Sequence, residues 1–265
     1  MRAGRASDNR SMLLAVDVGN TQTHVGLFRD EQLHEHWRLA TDREDTADKL
    51  ATSLAGLLGL RDLRLRDVDG AIVSSVVPQL GHEYEELSER YLAGALAVVG
   101  PGLKIGMPVL MDNPHEVGAD RIVNSVAAYE RCGGACIVAD FGTSTNYDVV
   151  SSAGEYLGGV LAPGVEISID ALASRAARLF KVDLDPPRTV IGKNTQAALQ
   201  SGVIYGFAGQ VDAIVGRIRE EMGEEATAVA TGGLAGPIVP FCDAIDEVDD
   251  LLTLRGLRLI WERNR

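Results

Sequence analysis

Basic charge, cysteine, aromatic residues and long apolar runs are all scarce in this 265-residue chain. Lys and Arg number 25 against 38 Asp and Glu, a formal net charge of −13. The chain therefore lacks the basic surface of a nucleic-acid or membrane-surface binder, although local cations or metal ions can still receive an anionic substrate. Cys132, Cys136 and Cys242 do not form a paired zinc framework and read as small buried apolar residues in a reducing cytosol. No run reaches the roughly 18 apolar residues of a membrane-spanning helix. Residues 1–11, MRAGRASDNRS, are basic and polar but lack the apolar core of a signal peptide, so a disordered leader and a cytoplasmic protein are expected. What remains, 46% hydrophobic and 24% charged, is the composition of a globular protein with a substantial core.

The chain is organised around Leu13 to Phe28, LLAVDVGNTQTHVGLF, which reads as a strand, a tight turn and a returning strand. The same grammar recurs at Ile137 to Val150, IVADFGTSTNYDVV. In both, an apolar run ends in Asp, followed by one hydrophobic residue, Gly and a cluster of Thr, Ser and Asn. Asp17 and Asp140 stand about half the chain apart, which predicts a duplicated fold with a cleft between its halves. Gly19 and Gly142 would let a charged ligand approach backbone N–H groups. Thr21, Thr23, Thr143, Ser144 and Thr145 offer hydroxyls to phosphate oxygens, and an aspartate at a strand end can hold a metal ion or its water shell. Taken singly, each hairpin is also compatible with ordinary turn chemistry; the repetition argues for a site.

Strands alternating with helices predict an α/β architecture. Strands are expected at Gln32 to Leu39, Ala71 to Val77, Ala95 to Val99 and Ala226 to Thr231. Helices are expected from an Asp45 cap through Leu58, over Glu83 to Leu92, from about Asp120–Arg121 to Glu130, over Ser168 to Phe180 and over Thr195 to Met222. On the last of these, Gly202, Gly206 and Gly209 would permit close helix contact, in the core or between subunits. The GGLAGP turn after the final strand either binds a nucleotide or merely connects elements. Asp120 is a plain N-cap or a carboxylate aimed at a substrate hydroxyl, with Arg121 binding an anion. A helix start should depress the Asp120 pKa and keep it ionised. Lys193 and Thr195, on a loop with two prolines, are solvated or contact substrate. The domain boundary is expected at residues 121/122, giving domains 12–121 and 122–265.

DVGNTQTHVGLF, NPHEVGADR, DFGTST, GGVLAPG, IGKNTQAALQSG and TGGLA occur in the order found in type III pantothenate kinases, and the chain resembles that family from Leu13 nearly to its end. The resemblance implies two ribonuclease H-like domains of the actin-like ATPase fold flanking a nucleotide cleft. It implies ATP-dependent phosphorylation of pantothenate to 4′-phosphopantothenate, the first step of coenzyme A synthesis, by a homodimer with pantothenate sites near the subunit interface. By the same resemblance Asp17, Val18, Gly19, Asn20, Thr21, Gln22, Thr23 and His24 cradle the ATP phosphates, with Asp17 acting through Mg²⁺. Thr143 contacts ATP, and Gly232 and Gly233 lie by the adenosine. Gly118, Ala119, Asp120, Arg121 and Thr195 contact pantothenate, and Asp120 is the proton acceptor. Asp140 binds a monovalent cation, K⁺ or NH₄⁺.

Two positions depart from the family pattern. Met111 stands where members commonly carry Tyr, seven residues before the GADR glycine, and Asn146 replaces the last Thr of the usual DFGTATT. Met111 removes a ring and hydroxyl that could pack over the substrate; Asn146 keeps a hydrogen-bonding side chain. Two other readings compete: a non-catalytic relative acting as a regulator, and a kinase of the same superfamily acting on another small hydroxyl compound.

Overall fold

The computed structural model describes residues 11–175 and 182–265. The expected leader, up to residue 10, and the last five residues of the helix expected at Ser168 to Phe180 lie outside the described residues. The chain divides into two compact units, one formed by residues up to Ile105 together with Thr253–Arg265, the other by Gly106–Leu252.

The first unit holds β1 (Met12–Val18), β2 (Gln22–Arg29), β3 (Gln32–Ala40), α1 (Ala47–Gly59), β4 (Gly70–Ser75), α2 (Pro78–Tyr91) and β5 (Ala95–Val98). The second holds α3 (Ala119–Cys132), β6 (Cys136–Phe141), β7 (Ser144–Val150), β8 (Tyr156–Pro163), α4 (Val165–Arg175), α5 (Thr195–Met222), β9 (Thr227–Thr231), α6 (Ala235–Ile238) and β10 (Glu247–Val248). The final helix, α7 (Leu252–Glu262), groups with the first unit from Thr253 onward.

The two five-stranded sheets have the same plan. Strand order is β3-β2-β1-β4-β5 in one and, read the other way, β8-β7-β6-β9-β10 in the second. In each, a hairpin pair is antiparallel (β1–β2, β6–β7), a third strand adds antiparallel to it, and the first strand pairs in parallel with a later one (β4 or β9). The duplicated hairpins thus sit at the centre of duplicated sheets, as their sequence grammar predicts. Parallel pairing buries both faces of β1 and β6, which explains their unbroken apolar runs: Leu13–Val16 and Cys136–Ala139 are all 2% exposed or less.

Several boundaries differ from the sequence expectation for local reasons. Thr46, not Asp45, caps α1, its side chain accepting from the Lys49 N–H, while Asp45 pairs with the Lys49 ammonium. Helix α2 starts at Pro78, because proline fits the first helical position, where no N–H is required. α5 runs over Thr195–Met222 as expected, capped by the Asn194 side chain and ended by Gly223 at φ 65°. Among the described residues a methyl on Gly202, Gly206 or Gly209 would meet nothing within 4 Å, so these glycines serve no close packing there. The split between units falls at Ile105/Gly106 instead of the start of α3, and the C-terminal helix does not stay with the second half. Helix α7 lays Leu254 against Gly26 and Trp261 over Gly70, filling the first sheet's face at two glycines.

Candidate active site

In the first hairpin β1 delivers Asp17 to its C-terminal end, and the turn is closed by the Gly19 N–H donating to the Gln22 carbonyl at 3.0 Å. A Cβ on Gly19 would lie 2.8 Å from that carbonyl oxygen, so the turn excludes any larger residue. Asn20, Thr21 and Gln22 are exposed, and Asn20 Oδ1 accepts from Arg43 at 3.0 Å. Strand alternation then turns Thr23 inward, where its hydroxyl meets that of Thr41 at 2.9 Å. His24 is partly buried; burial, then Arg38 and His36, lowers its pKa to about 4, leaving the ring neutral near pH 7.

The second hairpin repeats the closure, the Gly142 N–H donating to the Ser144 carbonyl at 3.0 Å. Thr143 is exposed, whereas the Thr145 hydroxyl is buried by the same alternation. Ser144 Oγ donates to Asn146 Oδ1 at 2.7 Å, so the Asn that departs from the family pattern is an internal partner of this turn. Gly164 closes in behind: a Cβ there would lie 2.2 Å from the Thr143 carbonyl oxygen.

Helix α3 brings the GADR segment to the second sheet. Gly118 is the N-cap and makes no side-chain cap bond, and Asp120 is the second helical residue. Its Oδ1 folds back to accept the Arg121 N–H at 2.9 Å and would lie 2.5 Å from a Cβ on Gly118. One turn on, Asn124 Nδ2 donates to Asp140 Oδ2 at 3.1 Å, while the buried Asn124 Oδ1 has no hydrogen-bond partner among the described residues. Asp140 ends β6 beside Thr231 of β9, and Gly232, at φ 95°, packs directly on it. Behind Asp120, Arg121 pairs with Asp148 of β7, which also accepts from Tyr156 of β8. The segment leading to α3 lies along β8, where Met111 places its sulfur 3.2 Å from the Cβ direction of Gly158.

Three carboxylates thus share one neighbourhood with one guanidinium, and burial dominates their ionisation. The Asp120 pKa is raised, not depressed: desolvation outweighs the backbone N–H and Arg121 that favour the anion. Burial, reinforced by Asp120 and Asp148, pushes Asp140 up to about 7. Burial raises Asp148 to about 6 against the opposing pull of Arg121 and Tyr156. Among the described residues, no three His, Cys, Asp or Glu side chains are grouped to hold a metal by themselves. Asp140 with Asn124 Oδ1 nevertheless offers a desolvated carboxylate and an unpaired carbonyl, a donor set suited to a weakly hydrated cation.

These shifts set a pH dependence. Between about pH 4 and 7 the folded, ligand-free chain holds protons on Asp140 and Asp148 that the unfolded chain has released. Their contribution to stability is full below the unfolded pKa and is lost as pH rises through about 6 and then 7. Urea unfolding should therefore give a free energy that falls with pH across this window, by on the order of a few kcal/mol, with Asp140→Asn flattening the curve. A stability that rises over the same range would contradict the assignment. Gly118→Ala offers a separate test: the added methyl pushes aside only the mobile end of Asp120, so turnover should fall about tenfold or more with melting temperature nearly kept. Unchanged turnover would show that the carboxylate position is unimportant.

Asp17 and Asp140 end equivalent strands of the two sheets, and Asp120, Arg121, Asp140 and Gly232 come together in the second unit. Thr195 is the exposed first residue of α5 and Lys193 an exposed loop residue; neither contacts that cluster in the interactions described above. Asp148, Tyr156 and Asn124 belong to the cluster but escape a sequence reading. An acidic residue within the apolar strand NYDVV, and an amide one helical turn after Asp120, were the available signals.

Comparison with known proteins identifies the family. Residues 13–217 match the family model described as type III pantothenate kinase. The chain belongs to the type III pantothenate kinase family. It is 56% identical over 254 residues to the type III pantothenate kinase of Acidothermus cellulolyticus, covering 96% of this chain and 99% of that one. It is 53% identical over 261 residues to that of Streptomyces avermitilis, covering 96% and 98%. The fold is shared with more distant solved structures. An inorganic polyphosphate/ATP-glucomannokinase from Arthrobacter sp. strain KM superposes with a TM-score of 0.51 at 13% identity, covering 96% of this chain and 99% of that one. A Campylobacter jejuni protein described as a Baf family transcriptional activator gives a TM-score of 0.58 at 19% identity, covering 95% and 98%. The family member described here thus has the duplicated α/β fold of actin-like ATPases and sugar kinases. Among its described residues, no helix is long and apolar enough to cross a membrane.

Proposed function

We propose that this family member transfers the γ-phosphoryl group of ATP to the primary hydroxyl of pantothenate, forming 4′-phosphopantothenate at the first step of coenzyme A synthesis. The observation that carries the reading is Asp120: a carboxylate of raised pKa, held by its own helix start next to Arg121, in a chain that matches the family over most of its length. Phosphoryl transfer asks a protein mainly for positioning and charge neutralisation. A carboxylate whose pKa lies above its usual range is a better proton acceptor near neutral pH than one depressed by a helix dipole. Asp120 accepts the hydroxyl proton and orients the oxygen for attack. Gly118 and Ala119 leave the helix N-terminus open to substrate, and Arg121 and Thr195 contact pantothenate.

The ATP phosphates are held by the hairpin of Asp17, Val18, Gly19, Asn20, Thr21, Gln22, Thr23 and His24, and by Thr143, with Gly232 and Gly233 by the adenosine. Thr21 and Thr143 present their hydroxyls outward, whereas the buried Thr23 supports the hairpin from behind. Asp17 would hold Mg²⁺, which supplies positive charge against the phosphates. Asp140 would hold K⁺ or NH₄⁺; its desolvated carboxylate and the unpaired Asn124 Oδ1 support that fit.

A cytoplasmic homodimer completes the proposal. β8 is the edge of the second sheet and exposes Leu157, Val160 and Leu161; Ile167 and Leu172 of α4 are also exposed. Apolar surface on an edge strand is ordinarily covered by a partner. The function is tested by offering pantothenate and a panel of hexoses with Mg-ATP, with and without K⁺. Turnover of pantothenate alone, stimulated by K⁺, is expected; turnover of a hexose but not pantothenate would overturn the assignment.

A further inference from the structure

We propose that Asp148 is a positioning residue for the transfer reaction: with Tyr156 it fixes which edge of the Arg121 guanidinium faces the substrate. The inference rests on the reading of Arg121 as a pantothenate contact.

The Asp148 side chain is fully buried, and a single oxygen takes both of its hydrogen bonds and its ion pair. Oδ1 accepts from Arg121 Nε at 2.8 Å and from the Tyr156 hydroxyl at 2.7 Å, and it lies 2.7 Å from Arg121 Nη2 in an ion pair. The other oxygen, Oδ2, is buried without a hydrogen-bond partner among the described residues. A half-satisfied buried carboxylate is a poor device for stability: desolvation of the pair consumes much of its attraction, and apolar residues of similar volume would serve a core as well or better. What the arrangement does provide is orientation. The Nε/Nη2 edge of Arg121 is tied to β7, and the Tyr156 ring of β8 stands 6.0 Å from its Cζ.

The neighbouring backbone is shaped around the same group. Gly159 sits where a Cβ would lie 2.9 Å from Arg121 Nη2 and 2.0 Å from the Tyr147 carbonyl, so β8 approaches the guanidinium without a side chain. Strands β7 and β8 and helix α3 therefore converge on one planar cation. With one edge occupied by Asp148, a substrate anion meets Arg121 by the remaining Nη1 side.

The test compares wild type, Asp148→Asn and Tyr156→Phe in pantothenate saturation curves at saturating Mg-ATP with K⁺. The Arg121 Nε–H resonance of each protein is recorded alongside by nitrogen-edited NMR. Asp148→Asn is expected to raise the pantothenate KM on the order of 10- to 100-fold, leave the ATP KM unchanged and shift the Arg121 Nε–H signal. Tyr156→Phe should act in the same direction but less, and it carries the test if the Asn variant does not fold. A merely structural role would lower the melting temperature without moving the pantothenate KM of the folded protein, and that result overturns the proposal. An Arg121 Nε–H signal unchanged in both variants overturns it as well, even if wild type fails to phosphorylate pantothenate. Wild-type inactivity would itself count against the functional reading.

Discussion

Replacing Asp120 by Asn is expected to lower kcat by on the order of a thousandfold, within the range that a positioned general base contributes. The exchange nearly preserves shape, so the ATP KM should stay close to wild type. The melting temperature should hold or rise, because the substitution removes a buried charge that Asp140 and Asp148 both feel. The distinction from a helix cap is already partly structural. Asp120 is the second helical residue, after a Gly118 cap, and its carboxylate accepts from the next backbone N–H instead of spanning the helix start as a cap does. A near-normal kcat with a lowered melting temperature would reduce Asp120 to a local stabiliser of the α3 start.

Gly232→Ala should cost about 3 kcal/mol or more of stability. Two independent penalties coincide there. The φ of 95° is one that side-chain-bearing residues rarely adopt, and a Cβ would meet Phe141 N at 2.6 Å and Phe141 C at 2.7 Å. These are backbone atoms of the central strand β6 and cannot step aside as a side chain can. The Asp140 carboxylate, 2.5 Å from the same Cβ, would also be displaced, so the response to K⁺ should weaken together with stability. Gly216→Ala is the control: a methyl there meets nothing within 4 Å inside α5 and should stabilise the helix by about 1 kcal/mol. Urea unfolding of both variants decides; equal stabilities would refute the packing argument.

How much of this was legible beforehand depended on whether the determining interactions were local. The hairpins at Asp17 and Asp140 and the whole of α5 follow from periodicity, turn residues and caps, which lie within a few residues of one another. The return of α7 to the first unit does not, since it depends on Trp261 finding Gly70 and Leu254 finding Gly26, far away in sequence. The raised Asp120 pKa is invisible in sequence for the same reason. The helix dipole can be read from position, whereas desolvation depends on how the rest of the unit packs around the carboxylate. Asp148 was passed over because an acidic residue in a strand gives no sign that it will pair with an arginine 27 residues earlier. The matching pattern of the two hairpins is legible in the sequence; that Thr23 and Thr145 are buried while Thr21 and Thr143 are exposed follows only from the folded sheets.

The measurement that bears most directly on the account is phosphorus NMR of the purified full chain incubated with pantothenate, Mg-ATP and K⁺, run beside the Asp120→Asn variant. The account predicts a phosphomonoester signal of 4′-phosphopantothenate growing in step with ADP in the wild type and nearly absent in the variant. Folded wild-type protein that releases ADP without forming that signal, or forms it equally well without the Asp120 carboxylate, would contradict it.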